Sequence, residues 1–525
     1  MHVSDHFVCK GLVSDFKETF KYVVKEVLKD PAEACGIVIK GCNGSFPIDT
    51  ATWFLPIPDG KPIHKDPILP EKGKPIMKVL HLSDLHIDNE YLIGAEAKCG
   101  EMMCCRPAGD NNAGFKAKDT VAVPAGKWGT YGSCDSPYWL VEDLMKHISV
   151  THKDLDYVVV SGDLESHADW GYTREGHQEK VRNVTRLMKK YLPGVNIYFA
   201  QGNHESVPLD AFAPSWTPEE YHMDWMYGTE ADEWSDWLPE ESLATVRLFL
   251  YINQTDPDGT LTWLISQLLD AEKAGDKVQI VAHIPGGSME SLEGWSLNYY
   301  KIVNRFEDTI VAQFFGHTHF EDLNVYYEDL EDPKSRPTGV VYSAGSVTPN
   351  FAFNPSYRIY KIDGNYQGSS FQILDWETHF LNLTTANANP AAPTNWEILY
   401  SSVKAEYDLA SLAPTEWSDL IIKMINNDTL YSNYHKNRYR RNNIICHSDC
   451  RRNTLCTMRI GHHTNKMCND IHPKTGINGK FEVEQKYVKK MESKMPKSKN
   501  GILADFKEAM EKLKLIVKDD SKCPV

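Results

Sequence analysis

Six short apolar runs constrain this chain more than any other feature of it. They are MKVLHL (77–82), YVVV (157–160), NIYFA (196–200), QIVAH (279–283), IVAQFF (310–315) and GVVYS (339–343). Helical patterns, such as 138–150 and 260–273, lie between several of them. Strands alternating with helices make an α/β layered domain. Five of the runs end on groups able to hold a metal ion. Asp84 and His86 follow the first, and Gly162-Asp163 the second. Gly202-Asn203-His204-Glu205 follows the third, His283 closes the fourth, and Gly316-His317-Thr318-His319 follows the fifth. Strand ends converge along the carboxyl edge of such a sheet, so residues far apart in sequence meet there.

The donors are oxygen and imidazole without thiolate, a set suited to zinc, manganese or iron. Asp84, His86, Asp163, Asn203, His283, His317 and His319 are too many for one tetrahedral ion and suit two ions sharing a carboxylate. Glycines at 162, 202 and 316 let the backbone turn and approach closely. Taken singly, each block reads more simply as a turn or a hydrogen-bonded core histidine. His81, inside the first run, keeps that core reading; the ordered set of five does not.

The rest of the chain sets the frame. Its 525 residues exceed one ordinary core. With 42% apolar residues and 24% charged ones it is globular, and no apolar run is long enough to span a bilayer. A net charge of −16 argues against a nucleic-acid partner. Residues 7–28 carry helical spacing, and a second helix is expected before Cys42. The segment FLPIPDGKPIHKDPILPEKGKP (54–75) reads as an extended, semi-rigid spacer. Past Trp376 the pattern is mainly helical. The lysine-rich tail carries an apolar stripe from Ile502 to Ile516, which reads as a docked helix rather than a membrane anchor. The expected units are therefore a helical segment at 1–50, a linker at 51–76, a catalytic domain at 77–375, a helical domain at 376–468 and a tail at 469–525.

Twelve clustered cysteines point to disulfides formed in an oxidising compartment. N-x-S/T sequons at Asn43, Asn183, Asn253, Asn382 and Asn427 agree with a secretory route to the exterior or the lysosome. The first residues, MHVSDHFVCK, show no signal peptide.

The series DxH, GD, GNHE, a lone His and GHTH resembles the calcineurin-like metallophosphoesterases. SDLHIDNEYL, GDLESHADW, QGNHES, GDKVQIVAHIPGG, NYYKIV and QFFGHTHFEDL narrow this to acid sphingomyelinase and its nearest phosphodiesterase relatives. The resemblance runs from about residue 7 to residue 470. It implies an α/β fold of the α+β sandwich type, a β-sandwich flanked by helices, with a partial saposin-like segment before it and a helical C-terminal region. It implies two Zn2+ per chain. Asp84, His86, Asp163 and His319 would hold one; Asp163, Asn203, His283 and His317 the other. A water between such ions is acidified towards hydroxide and faces the phosphorus of a phosphodiester. His204 and His167 would supply the leaving group's proton; His167 could instead only orient a ligand. The implied disulfides are Cys99–Cys104, Cys105–Cys134, Cys446–Cys450 and Cys456–Cys468. The last cluster, with His462 and His463, could alternatively be a structural zinc site.

The chain departs from the family in three places. Cys9, Cys35 and Cys42 are only half of a saposin module's cysteines, and their usual partners, like the signal peptide, would lie before Met1. LATVRL (243–248) and FLYINQTDPDG (249–259) abut where relatives carry a longer piece with another strand. The tail, with Cys523, has no counterpart. The expected function is hydrolysis of sphingomyelin to ceramide and phosphocholine, by a monomer working at a lipid surface. The competing readings are a nucleotide or other small phosphodiester hydrolase, a non-catalytic secreted lipid-binding relic and, less favoured, a cytosolic protein phosphatase.

Overall fold

The apolar runs become strands because each places β-branched or aromatic residues on both faces of a covered sheet. β1 (Ile76–Leu82), β4 (Tyr157–Val160) and β5 (Asn196–Phe199) run parallel; between them lies a small two-stranded ladder, β2 (Ile87–Asp88) with β3 (Ser136–Pro137). A second set comprises β6 (Val278–Val281), β7 (Ile310–Phe315), β8 (Asp322–Tyr327) and β9 (Pro337–Ser343), ordered β6-β7-β9-β8. Then β10 (Ser356–Asp363), β11 (Ile373–Leu381) and β12 (Trp396–Tyr400) return to the first sheet, giving β12-β11-β10-β1-β4-β5. The computed structural model describes residues 6–29, 53–64, 70, 73–107, 120–238, 255–256, 259–288, 290–446, 448–464 and 466–471.

The helices are α1 (His6–Val27), α2 (Tyr138–Thr151), α3 (Arg174–Tyr191), α4 (Asp224–Trp234), α5 (Thr260–Ala274) and α6 (Glu293–Arg305). They continue with α7 (Leu383–Ala388), α8 (Val403–Tyr407), α9 (Pro414–Asn426), α10 (Asp428–Arg438) and α11 (Ser448–Thr457). Alternation along β1 shows how the layers form. Val79 faces the second sheet with Val159, Phe314 and Tyr360, while Leu80 and Leu82 face α2 and α3 with Leu144 and Val184. Leu261 and Leu268 of α5 and Tyr299 and Val303 of α6 cover the other side of the second sheet. The result is two sheets face to face with helices outside both. His81 is fully buried between Tyr360 and Ser161, and burial, then Arg358, holds its pKa well below the usual value.

Two expectations need correction. The chain is not mainly helical past Trp376: that residue lies inside β11, β12 follows, and helices dominate only after Tyr400. A boundary at 375/376 would cut a strand of the central sheet. Residues 53–59 are also not a free spacer. Trp53 is buried against α6, where Asn298 bonds the backbone on both sides of Phe54 and Arg305 donates to the Pro58 carbonyl. The expected helix before Cys42, the 248–249 junction, Asn43, Asn253 and the tail beyond Ile471 lie outside the described residues.

The structure pairs Cys99–Cys104, Cys105–Cys134, Cys446–Cys450 and Cys456–Cys468. That leaves no thiolate in the last cluster for a structural zinc site. Cys9 is also disulfide-bonded. Asn382 and Asn427 cap α7 and α10 through their side-chain oxygens.

Candidate metal centre

The parallel strands β1, β4 and β5 of one sheet and β6 and β7 of the other bring their carboxyl ends to one edge. Hydrogen bonds stitch the turns beyond them together: Asp84 N donates to Gly162 O, His317 N to the Asp84 carboxylate at 2.9 Å, and Gly316 N to His283 O. Gly162 has a positive φ of 92°, and a Cβ there would strike the backbone of Gly202, so the Gly-Asp and Gly-Asn turns can press together. Asp84, His86, Asp163, His317 and His319 also have φ between +38° and +68°. Left-handed backbone at five non-glycine positions is local strain that the packed turns must hold, and such strain gathers at functional sites.

All seven candidates meet there. Asp163 Oδ2 lies 3.3 Å from His86 Nε2 and 3.0 Å from His283 Nε2. On the first side, His319 Nε2 is 3.1 Å from His86 Nε2 and 3.4 Å from Asp84 Oδ1. On the second, Asn203 Oδ1 is 3.0 Å from His283 Nε2 and 3.2 Å from His317 Nδ1. Ligand atoms of Asp84, His86, Asp163 and His319 form one group, and those of Asp163, His283 and His317 another, with Asp163 in both.

The tautomers are set from outside. His86 Nδ1 lies 2.7 Å from Glu165 O, and His283 Nδ1 lies 2.6 Å from Ser161 O. Each therefore donates through Nδ1 and presents Nε2 inward, the usual way a backbone carbonyl orients a ligating imidazole. Burial opposes protonation of both rings. The Asp163 carboxylate overcomes it and raises His86 to about 9 and His283 to about 10. Asp163 stays well below the carboxylate range against its own burial, held by His283 and His204. The carboxylates make the pocket attractive to positive charge. Two imidazole nitrogens face each other at 3.1 Å, and buried His319 Nδ1 has no hydrogen-bond partner. This donor set fits divalent metal ions.

The two proposed acid–base histidines stand beside the first group. His167 stacks on His86 with ring centroids 3.9 Å apart, and His204 meets His167 edge-on at 4.7 Å. His204 Nδ1 is 2.6 Å from the Tyr172 hydroxyl, which donates to Ser166 O. Burial, with His167 and His86 nearby, keeps His204 well below the normal imidazole pKa.

The family pattern of calcineurin-like phosphoesterases matches residues 77–321, and that of the acid sphingomyelin phosphodiesterase C-terminal region matches 338–469. The chain is 39% identical to sphingomyelin phosphodiesterase 2 of Caenorhabditis elegans, covering 87% of this chain and 81% of that protein. It is 37% identical to the Homo sapiens sphingomyelin phosphodiesterase, covering 86% and 74%. The chain belongs to the acid sphingomyelinase family. A cyclic GMP-AMP phosphodiesterase of Bos taurus is more distant, 26% identical over 74% of this chain and 89% of that one.

Several residues that shape this family member's site were not among the candidates read from the sequence. Asp135 accepts from His167 Nδ1 at 2.9 Å, His167 N, Thr348 Oγ1 and Asn350 Nδ2. Glu205 accepts from the backbone N–H groups of Asp163, Leu164 and Gly202, clamping two ligand turns. Arg440, from just beyond α10, donates to His319 O at 2.6 Å and so ties the C-terminal region to the GHTH turn. Glu205 could have been suspected from its place in GNHES. Asp135 and Arg440 had only tertiary reasons to be there.

Proposed function

We propose that this chain hydrolyses sphingomyelin to ceramide and phosphocholine with two zinc ions. Asp84, His86, Asp163 and His319 would hold one, and Asp163, Asn203, His283 and His317 the other. The observation that carries the reading is Asp163 Oδ2 facing two imidazoles from opposite sheets. When bound, the ions supply Lewis-acid stabilisation of phosphoryl charge and a nucleophile from water at working pH.

The chain's own residues supply the rest. Asp135 is held far below the carboxylate range by His167, although burial opposes this. It fixes His167 through Nδ1, leaving Nε2–H to protonate the departing ceramide oxygen. His204, hydrogen-bonded to Tyr172 through Nδ1, lines the same side. No helix among the described residues is long and apolar enough to cross a membrane. The substrate would therefore be met at a lipid surface by a protein secreted or lysosomal, in keeping with its disulfides.

A substrate panel tests this. Chelator-stripped protein reloaded with zinc should release phosphocholine from sphingomyelin micelles faster than it cleaves nucleotide phosphodiesters. Turnover of the nucleotides alone would transfer the assignment to the second reading, which the distant cyclic GMP-AMP phosphodiesterase favours.

A further inference from the structure

A second group of imidazoles and a carboxylate gathers under α2, away from the edge where the metal centre forms. Alternation along β11 puts Glu377, His379 and Leu381 on the face towards α2, while Trp376 and Phe380 turn to the inter-sheet core. His379 pairs with Tyr357 of β10, their rings stacked at 4.8 Å and 12°. From above, His147 of α2 and His152 at its C-cap point at the same phenol. Their Nε2 atoms lie 2.9 Å and 3.0 Å from the Tyr357 hydroxyl. His379 Nε2 is 3.0 Å from Glu377 Oε1. One ligand atom each from His152, Glu377 and His379 lies within 4.8 Å of the others.

A plain hydrogen-bond network accounts for part of this. The phenol can donate to one imidazole and accept from another, and Glu377 can accept from His379. It does not account for gathering two imidazoles, His152 and His379, around the one carboxylate of Glu377. Burial first, and His379 next, lower His147 and His152 to about 4, so both rings are neutral over most of the pH range. The charged neighbours are Asp143 on α2, Lys78 on β1 and Lys361 on β10. Two imidazoles and one carboxylate on a helix end and a strand are a borderline-metal donor set. Tetrahedral ligands stand about 3.4 Å apart around zinc, so small side-chain rotations of the partly buried Glu377 would close the site.

We propose that His152, Glu377 and His379 form a further binding site for a divalent transition ion of the zinc class, separate from the catalytic pair. The Tyr357 hydroxyl orients His152, and the ion ties the end of α2 to β11. The site clips structure and takes no part in phosphodiester cleavage.

The test uses the full chain, stripped with chelator, dialysed against zinc and analysed for bound metal. His152→Gln and His379→Gln should each hold one ion fewer per chain than the parent, with sphingomyelin turnover within about twofold. The difference is read whatever the main centre holds, so it fails separately from the proposed function. Equal metal content in parent and both variants overturns the proposal, as does a loss of metal that removes turnover in parallel. A second measurement avoids both variants. Trp396 stacks on His147 at 5.7 Å and 19°, so Ni2+ should quench its fluorescence, read as the difference between the parent and Trp396→Phe. No difference on titrating Ni2+ into stripped protein would also overturn the site.

Discussion

Asp163 keeps its charge in a place where burial alone would remove it, because His283 and His204 stabilise the anion. A shared carboxylate of this kind cannot be replaced by an amide, which has one acceptor oxygen and no charge. Asp163→Asn should lower metal content and cut kcat/KM by more than about 100-fold, beyond the usual cost of a group that only orients a ligand. Metal analysis alongside kinetics checks it; full activity with normal metal content would refute the bridging role. Asp135 should behave differently. Asp135→Asn leaves the ligands intact but loosens His167, so kcat should fall about 10- to 100-fold with KM and metal content little changed. The seven candidate ligands could be picked out because each sits at a strand end beside a glycine or within a short repeating grammar. Asp135 could not, since it follows Cys134 in a loop and gains meaning only when folding brings it under His167.

At the scale of elements, α1 rests on the turn that carries His167. Gly11 packs so closely on Trp170 that a Cβ would strike its carbonyl, and Val8 is buried with Trp170 and Ala168. Asp15 on the same helix is half-buried, and burial raises it to about 6 although the Tyr172 backbone N–H favours the anion. A carboxyl raised above its unfolded value stabilises the docked form fully below about pH 3.8. That contribution is lost as pH rises through about 6. Docking of α1 should therefore be tighter in acid, by on the order of 1 kcal/mol once partial exposure is allowed for. Asp15→Asn should remove the dependence and protect α1 at pH 7, read by limited proteolysis at pH 5 and 7. Unchanged pH dependence in the variant would exclude Asp15 as its source. The helices and the parallel strands were legible from their apolar periods. β11 and β12 were not, because Glu377 and His379 interrupt the apolar alternation with polar groups that α2 covers only in the folded chain.

At the scale of the whole molecule, activity depends on two sheets held in register. One clamp is the buried pair Arg358–Glu321 at 2.7 Å: Arg358 on β10 also donates to Ser343 O of the second sheet, and Glu321 accepts from Thr378 and Tyr400 of the first. Glu321→Ala strands a buried guanidinium and should cost about 3–5 kcal/mol in urea unfolding. The other clamp runs through β6. Among the described residues that strand pairs with β7 alone, and its four residues are only half-buried. His283, two residues beyond it, reaches across to Ser161 O and to Asp163 of the first sheet. A one-sided strand opens at low free energy, and a ligand that binds only the closed form raises that energy. In stripped protein, β6 amides should therefore exchange with solvent faster than those of β7. Zinc should slow β6 selectively, because an ion holding His283 to Asp163 joins that strand to the opposite sheet. Hydrogen exchange read by mass spectrometry decides the matter: β6 protection that does not respond to zinc would mean that His283 does not couple metal binding to the second sheet.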